Sequence, residues 1–438
     1  MAQLPFGAAA ADFRWCTGIE DTFVPQTRPG MRALDEYELM GHYERWREDL
    51  RLARDTGARM IRWGIPWYRV QPEPGRFDWS WVDQVLPYIV EELGLELIVD
   101  LIHYGTPLWL ERSFANPRYP EAAAAYARAV AERYSRLIHY YTPLNEPIIN
   151  SLMCGLRGVW PPYLRGERGY LAVGVALCKG IVRTVRALKE VDPTAIMVHV
   201  EAAGLTRAAR EELEPLAAER RHRGYLFYDL LTGRVNSQHP LFGWLLTNGV
   251  SWNDLRHFAE QPIELDVVGL NFYPQWSTRQ LSTNEKGLLH VQRVERDGAG
   301  FAEMIADFYA RYQAPIMITE TSAKEGIAVK RRWLEASVRA VGELRMRGVP
   351  VIGYTWFPLF TMVDWRYRTG NRPPDKYLIE LGLYESEIGP DGSLRHVPTP
   401  LVEQFRSYTM DPRRVVGDLP AGDTVSNVVA AETEPLAT

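Results

Sequence analysis

Two glutamates, Glu146 and Glu320, each follow directly on a predicted β-strand of this chain. The first strand covers residues 139–144 and the second covers 315–319. Two carboxyl groups held about 5–5.5 Å apart on either side of a glycosidic bond can cleave it with retention, one as the acid and the other as the nucleophile. A lone glutamate at a strand end is more often a loop cap or an ion-pair partner, so the hypothesis depends on a fold that brings both to one cavity.

Apolar runs alternate with amphipathic stretches along the chain, and this pattern predicts a fold in which the two glutamates can lie close together. The apolar runs predict eight strands, at 13–18, 59–65, 96–102, 139–144, 195–200, 265–271, 315–319 and 351–356. The amphipathic stretches predict helices at 36–56, 80–93, 120–135, 170–191, 207–231, 301–313, 329–347 and 399–408. Eight strand–helix units are the count of a (β/α)8 TIM barrel, an α/β fold with its active site at the carboxyl ends of the strands. The fourth and seventh strands lie across the ring, so both glutamates can face one cavity.

The predicted loops fit the same architecture. Four long connections, 19–35, 147–169, 272–300 and 357–398, all follow strands and belong on the C-terminal face. A doubly wound open sheet is the alternative, but no G-x-G-x-x-G follows the first strand. We expect one catalytic barrel over residues 1–410 and a flexible tail, or a linker, over 411–438, which contains no aromatic residue.

Composition narrows the class of protein. Of the 438 residues, 46% are hydrophobic and 24% charged, which is typical of a globular protein, and the net charge of −5 argues against a nucleic-acid binder. Three cysteines disfavour a disulfide framework and favour a reducing compartment. We see no signal peptide and no apolar run of membrane-spanning length, so a cytoplasmic protein without a membrane partner is expected. No H-E-x-x-H or C-x-x-C is present, so neither a metal nor a cofactor is expected.

Longer segments around the glutamates resemble motifs of clan A glycoside hydrolases, and of family 1 most closely. TPLNEP at 142–147 looks like the T-x-N-E-P acid/base motif with one extra residue before the Asn, and ITET at 318–321 is similar to the nucleophile motif I-T-E-N-G. The likeness spans about residues 13–409. Four more segments agree in the same order: MIRWGIPW (60–67) with Y-R-F-S-I-S-W, LIHY (101–104) with L-x-H-W, GLNFY (269–273) with G-x-N-Y-Y, and YTWFPLF (354–360) with Y-x-W-S-L-x-D.

The resemblance implies a retaining exo-β-glycosidase, β-glucosidase-like, that acts on a small β-glycoside or oligosaccharide without a cofactor. It makes Glu146 the general acid/base and Glu320 the nucleophile, with Arg62 keeping Glu320 ionised and Tyr273 orienting it. Each supporting residue has a plainer alternative: Arg62 as a barrel-interior ion pair with another acid, and the others as core, structural or turn-capping residues. The other implied contacts are Asn145 with the sugar 2-hydroxyl, His103 with another hydroxyl, Trp356 under the sugar ring, and Asn271 in support.

The chain departs from the family pattern in two sugar-binding segments. The family's Q-x-E-G becomes GIED at 18–21, so its Gln is absent, and Glu20 or Asp21 is left to accept two hydroxyls unless they only form a turn. The family's E-W pair becomes Asp364-Trp365, and Asp is one methylene shorter than Glu. The identity of the sugar is therefore open, and we expect a preference other than plain glucose.

Several alternatives remain at this stage. Arg366, Arg368 and Arg372 make an anionic substituent on the substrate one option, and a solvated basic loop is the other. Glu201, at the end of the fifth strand, is expected to be an auxiliary or structural acid. The same site residues also suit transglycosylation to an acceptor alcohol. A barrel that binds sugar without catalysis is the alternative from another functional class.

Overall fold

Eight parallel strands, numbered here β1–β8, close into a barrel in this computed structural model, which describes residues 6–294, 298–389 and 393–420. Each strand pairs with the next along the chain, and β8 pairs with β1. The predicted (β/α)8 barrel is therefore confirmed. The strands are Arg14–Gly18, Met60–Gly64, Glu96–Asp100, Tyr140–Thr142, Ile196–Ala202, Val267–Asn271, Ile316–Thr321 and Val351–Trp356.

A helix follows each strand. Some connections also contain shorter helices: Glu36–Leu39, Trp67–Val70, Pro147–Asn150, Phe242–Thr247 and Trp252–Glu260. The main helices, α1–α8, are His42–Asp55, Val82–Pro87, Tyr119–Tyr134, Gly166–Val191, Glu214–Leu231, Gly298–Tyr312, Ile327–Met346 and Pro400–Met410.

Two predicted helices have different bounds. The stretch 36–56 is broken at Gly41, whose φ of +67° is a left-handed conformation that favours glycine, so α1 begins at His42. The stretch 207–231 begins too early, because Leu205–Ala208 is a strand that pairs with Thr278–Thr283. Tertiary pairing overrides the local helical pattern there.

The long connections carry most of the remaining strands. Thr278–Thr283 also pairs with Leu289–Arg293, which completes a three-stranded sheet after β5 and β6. Three two-stranded ribbons lie in the connections after β1 and β8. Their strands are Phe23–Val24 with Leu34–Asp35, Met362–Val363 with Leu378–Ile379, and Tyr384–Ile388 with Leu394–Pro398.

The barrel interior is a packed core on which the polar site rests. Side chains from the strands fill it, among them Cys16, Met60, Ile98 and Met317, all at most 1% exposed. Burying such a side chain contributes roughly 1.5–3 kcal/mol. Because side chains alternate along a strand, Arg62 points the same way as Met60, one layer nearer the carboxyl end. The apolar core thus gives way to charged groups toward the C-terminal face.

The first ten residues beyond α8 are anchored at the opposite end of the barrel. Val416 is 1% exposed, and Arg345 Nε donates to its carbonyl oxygen at 3.2 Å. Leu419 N donates to Ala8 O at 2.9 Å, and Ala10 N donates to the carboxylate of Asp418 at 2.6 Å. The expectation of a flexible tail from residue 411 is thus corrected for 411–420. The rest of that segment, 421–438, lies outside the described residues.

Two further expectations concern cysteines and membranes. Cys16, Cys154 and Cys178 are all buried free thiols. Over the described ranges, no helix is both long and apolar enough to span a bilayer.

Candidate active site

Glu320 lies near the carboxyl end of β7 and is only 5% exposed. Arg62, from β2, donates from Nη1 to Glu320 Oε1 at 2.5 Å. Tyr273, which follows β6, donates its hydroxyl to Oε2 at 2.7 Å. One carboxylate oxygen therefore faces a fixed cation and the other a hydroxyl, and both contacts stabilise the ionised form.

Glu146 follows β4 and is 6% exposed. Its Oε1 accepts from Asn271 Nδ2 at 2.9 Å, and its Oε2 accepts from the hydroxyl of Tyr104. Both donors are neutral. Burial, together with the negative charge of Glu320, raises the pKa of Glu146 to about 7. A carboxyl group that is still largely protonated near neutral pH can act as a general acid.

A chain of hydrogen bonds joins the two glutamates. Arg62 Nη2 donates to Asn145 Oδ1 at 2.7 Å, and Asn271 Nδ2 donates to the same oxygen at 3.3 Å. Asn271 Nδ2 also donates to Glu146 Oε1 at 2.9 Å, and Asn271 Oδ1 accepts from Thr319 Oγ1 at 2.7 Å. Residues from β2, β4, β6 and β7, far apart in the sequence, therefore form one cluster at the carboxyl ends of the strands.

His103 belongs to this cluster, and the protein engages both of its ring nitrogens. Asn145 uses its oxygen for Arg62, and its Nδ2 lies 2.9 Å from His103 Nε2. Nδ1 lies 2.7 Å from Asp21 Oδ1 and 3.1 Å from Asp100 Oδ2. Asp21 is 1% exposed and its Oδ1 faces His103, while its Oδ2 has no hydrogen-bond partner among the described residues.

The same group of two acids and a histidine has the composition of a metal site. One ligand atom from each of Asp21, Asp100 and His103 lies within 4.8 Å of the others. However, Arg62 Nη2 lies 2.5 Å from Asp100 Oδ2, so a guanidinium already supplies the positive charge there. These residues fit an internal salt bridge better than a metal ion.

Aromatic rings cover the Glu146 side of the cluster. The centroid of Trp365 lies 5.4 Å from that of Tyr104 and 5.0 Å from that of Trp160, both in edge-on contact. The indole Nε1 of Trp365 is buried and has no hydrogen-bond partner among the described residues. A buried donor left unpaired by the protein is suited to a polar ligand.

Trp356 has a different position from the one expected. It is fully buried, and its Nε1 donates to Leu381 O at 3.1 Å. No hydrogen bond or ring contact in the described residues joins it to Glu146 or Glu320. The ring next to the cluster is that of Phe357, 5.4 Å from the Arg62 guanidinium, because successive side chains alternate at the strand end. The ring of Phe357, and not that of Trp356 as expected, therefore lies next to the two glutamates' cluster.

Asp364 also does not join the cluster. Both of its carboxylate oxygens accept from the Arg366 side chain at 2.7–3.0 Å, and Oδ1 also accepts from Arg366 N at 2.8 Å. It caps the short helix Trp365–Thr369. The shorter side chain is thus saturated within its own loop, which corrects the predicted sugar contact.

The basic loop does not point toward the two glutamates either. Arg368 is 1% exposed and donates to the backbone carbonyls of Val24, at 2.7 Å, and of Gln26. The Arg366 side chain is 80% exposed and paired with Asp364. Arg372 is exposed. Of the two alternatives for these arginines, the contacts of Arg366 and Arg368 do not favour an anion-binding group.

Two carboxyl groups do lie beside the cluster on the β1 side. Glu20 is 9% exposed, and its Oε1 accepts from Thr22 Oγ1 at 2.5 Å. Burial, opposed by His103 and reinforced by Glu320, raises its pKa to about 7. Glu36, 1% exposed, accepts from Val363 N at 3.0 Å through Oε2, and its Oε1 has no partner among the described residues. Burial and the neighbouring Glu20 raise the pKa of Glu36 well above its usual range.

Glu201 has the auxiliary position that was expected. It is 1% exposed at the end of β5, and its Oε1 accepts from Ile148 N at 3.1 Å and from Ala202 N at 2.9 Å. Glu146 has a left-handed backbone, with φ of +45°, and Pro147 has no N–H, so Ile148 provides the first amide that can anchor this turn. Glu201 thus holds the backbone that aims Glu146.

Sequence analysis did not assign Tyr104, Trp160 or Glu36 to the site. Tyr104 stands in the LIHY segment where the family pattern has Trp, so that departure was a signal for it. Trp160 lies in a long loop and Glu36 opens the predicted helix 36–56, and at neither position does a local pattern indicate that the side chain turns toward the site.

Comparisons with known proteins agree with the fold and show the family. The model of Glycosyl hydrolase family 1 matches residues 7–290. Beta-glucosidase A of Thermotoga maritima is 24% identical over 354 residues, 74% of this chain and 78% of that protein. The chloroplastic galactolipid galactosyltransferase SFR2 of Arabidopsis thaliana is 21% identical over 343 residues, and this chain spans about half of its length, 51%. A solved family 1 β-glucosidase from Thermotoga maritima, in complex with isofagomine lactam, has a TM-score of 0.79 at 19% identity and covers 91% of this chain and 98% of its own.

Proposed function

This chain belongs to glycosyl hydrolase family 1, and from that premise we propose that it is a retaining exo-β-glycosidase with Glu320 as nucleophile and Glu146 as acid/base. One observation carries the proposal. The hydrogen-bonded chain through Arg62, Asn145 and Asn271 holds two buried carboxyl groups at one cluster in opposite electrostatic settings.

In the first step, Glu320 attacks C1 of the sugar while Glu146 protonates the leaving oxygen. Arg62 and Tyr273 each donate to one oxygen of Glu320 and so hold the nucleophile in a fixed orientation. Glu146 acts as the general acid because burial and the negative charge of Glu320 raise its pKa to about 7. The products of this step are the free aglycone and a sugar ester on Glu320.

In the second step, water displaces Glu320 from C1. Once Glu320 is esterified its negative charge is gone, and with it one of the two causes of the high pKa of Glu146. Glu146 then ionises more easily and takes a proton from the attacking water. The same carboxyl group therefore changes from acid to base without any movement of the backbone.

The glycone hydroxyls are proposed to meet Glu20 and Glu36, with Trp365 as a donor. Glu36 Oε1 and Trp365 Nε1 are both buried without a partner in the described part of the chain. A carboxyl group can hydrogen-bond neutral hydroxyls in either protonation state, whereas its ionised form repels an anionic substituent. We therefore expect a neutral sugar, with a hydroxyl pattern that differs from the preference set by the family's Gln and Glu.

Transfer of the sugar to an alcohol is the second candidate. It uses the same ester on Glu320, and one relative is named a galactolipid galactosyltransferase. The two functions differ only in the second step, where either water or the hydroxyl of an acceptor alcohol attacks C1. A sugar-binding barrel without catalysis is the third, and it predicts binding without turnover.

The test is a panel of 4-nitrophenyl β-glycosides in the gluco, galacto, manno, fuco and glucurono configurations, each with and without an added alcohol. Turnover of at least one neutral glycoside, with the glucuronide poorest, supports the proposal. Alkyl glycoside as the main product would favour transfer. Saturable binding with no release of nitrophenol from any glycoside would contradict an enzymatic function.

A further inference from the structure

The hydroxyl of Tyr104 contacts the carboxyl group that the proposed mechanism uses as its acid. It donates to Glu146 Oε2, while Asn271 Nδ2 donates to Oε1. The two partners differ in chemistry. An amide N–H can only donate, whereas a phenol hydroxyl can either donate or accept.

This difference decides which oxygen of Glu146 carries the acid proton. A proton on Oε1 would point at the Asn271 amide hydrogens, which cannot accept it. A proton on Oε2 points at Tyr104 Oη, which can. The protonated acid is therefore Oε2–H with Tyr104 as acceptor, and the ionised base is Oε2 with Tyr104 as donor.

The fold holds Tyr104 in place at a cost. Its backbone φ is +79°, a left-handed conformation that costs a non-glycine residue of order 1–3 kcal/mol. The preceding residue is fixed because Phe23 N donates to His103 O at 3.0 Å. Trp160 and Trp365 pack against the ring, which is 2% exposed. Local strain that the surroundings maintain is characteristic of functional positions.

We infer that Tyr104 is a further catalytic residue, whose hydroxyl accepts a hydrogen bond from Glu146 while that residue is protonated and donates one to the carboxylate while it is ionised. This inference rests on the proposed function of Glu146. As the C1–O bond breaks, its electron pair goes to the leaving oxygen, which takes the proton from Glu146 Oε2. The C1–Glu320 bond forms, and the Tyr104 O–H rotates to donate to the ionised Oε2. In the second step, water bonds to C1, the C1–Glu320 bond breaks, and the water proton returns to Oε2.

Other charged groups lie near the Tyr104 hydroxyl, and they affect its pKa whether it accepts from Glu146 or donates to it. Glu320 and Glu20 lie close enough to raise the pKa of Tyr104, which burial and Glu146 also raise well above its usual range. The phenol therefore keeps its own proton throughout. It serves as a rotating partner and not as the proton source.

Tyr104→Phe tests the inference because it removes the hydroxyl alone. Loss of one preorganised donor to a developing charge is expected to lower kcat/KM about 10–100-fold for a 4-nitrophenyl glycoside. The fall should be less than about threefold for a 2,4-dinitrophenyl glycoside, which leaves without protonation. Because a donor to the carboxylate lowers its pKa, the basic limb of kcat/KM should move to higher pH in the variant.

Tyr126→Phe is the matched control, since it also deletes a buried tyrosine hydroxyl but one that donates to Ile65 O instead. It should change neither the leaving-group dependence nor the basic limb. Equal falls of Tyr104→Phe on both glycosides, with an unmoved basic limb, would show that Tyr104 only packs. A readout that needs no turnover is ¹³C NMR titration of labelled glutamate, assigned with Glu146→Gln. An unchanged Glu146 titration in Tyr104→Phe would overturn the inference, whereas an inactive wild-type protein would overturn only the proposed function.

Discussion

The two glutamates of the cluster differ in what surrounds them far more than in how deeply they are buried. Glu320 meets a guanidinium and a phenol hydroxyl, whereas Glu146 meets only an amide and a phenol hydroxyl. Their exposures are nearly equal, 5% and 6%. The position of one cation, Arg62, therefore separates the two roles, and burial alone does not.

That cation has a fixed position because other charges hold it. Arg62 also pairs with Asp100, whose second partner is His103. Asp100 keeps a low pKa, because Arg62 and then His103 outweigh the effect of burial. The nucleophile side is thus a network of opposite charges, whereas the hydrogen-bond partners of Glu146 are neutral and Glu320 is the charge with the largest effect on its pKa.

The largest expected effect comes from removing the nucleophile. Glu320→Ala should lower kcat for aryl glycosides by more than about 10⁴-fold, because no other group forms the intermediate. Added azide should restore part of the activity and give a product of inverted configuration. A thermal melt gives the control for folding. Activity near that of the wild type would remove Glu320 from the mechanism.

Removing the acid should give a smaller effect that depends on the leaving group. Glu146→Ala is expected to cost about 10²–10⁴-fold for a poor leaving group such as an alkyl alcohol. The first step with 2,4-dinitrophenol, measured as a pre-steady-state burst, should be affected much less. Equal losses for both leaving groups would contradict the assignment of Glu146 as the acid.

The contrast between the two carboxyl groups predicts a definite pH dependence. Glu146 must be protonated for attack, so kcat/KM should fall as the pH rises through about 7. Glu320→Gln removes the charge that raises this pKa, so Glu146 should titrate at lower pH. A shift of one pH unit corresponds to a tenfold change, about 1.4 kcal/mol, in its ionisation. ¹³C NMR of labelled glutamate measures the pKa of Glu146 in both proteins. An unchanged pKa in Glu320→Gln would show that the two carboxyl groups are too far apart to interact.

Loss of the hydroxyl on the nucleophile side should have a moderate effect. Tyr273→Phe removes one hydrogen bond to a charged group, worth about 1.5–3 kcal/mol, so kcat/KM should fall about 10–150-fold. The basic limb, which belongs to Glu146, should stay in place. That pattern distinguishes Tyr273 from Tyr104, whose loss is expected to move the limb. A moved limb in Tyr273→Phe would erase the distinction between the two sides.

The smallest effects are expected at the rim. Glu36→Gln keeps the acceptor for Val363 N, so only the contact with the glycone changes, and kcat/KM should fall several-fold for the best glycoside, roughly the 0.5–1.5 kcal/mol of one hydrogen bond. Asp364→Asn is the matched control, because Asp364 faces its own loop, and it should change kcat/KM less than twofold. A larger loss of kcat/KM in Asp364→Asn than in Glu36→Gln would show that Asp364, and not Glu36, contacts the sugar.

The fold and the charged centre were predictable because their signals are local. Glu146 and Glu320 stand near strand ends and Arg62 lies within a strand, so eight strand–helix units suffice to bring them together. The rim was not predictable in the same way. Whether Asp364 turns toward Arg366 or toward a sugar depends on the conformation of a 42-residue connection, residues 357–398, and not on its neighbours in sequence.

Glu36 is a site residue that the sequence did not predict, because its contact depends on how two distant segments pack. It lies at the start of a short helix after β1, yet its carboxyl group reaches Val363 N, 327 residues away in the chain. No periodicity links those two positions. Two loops that pack together create such a contact, and it is visible only in the folded chain.

Covalent trapping tests the central claim most directly. A 2-deoxy-2-fluoro-β-glycoside with a dinitrophenyl leaving group, in the configuration that the panel favours, slows both steps but the second one more. Intact mass spectrometry should show one fluoroglycosyl group per chain, and peptide mapping should locate it on Glu320. A chain that turns over the ordinary aryl glycoside but carries no adduct, or carries it on another residue, would contradict double displacement at Glu320.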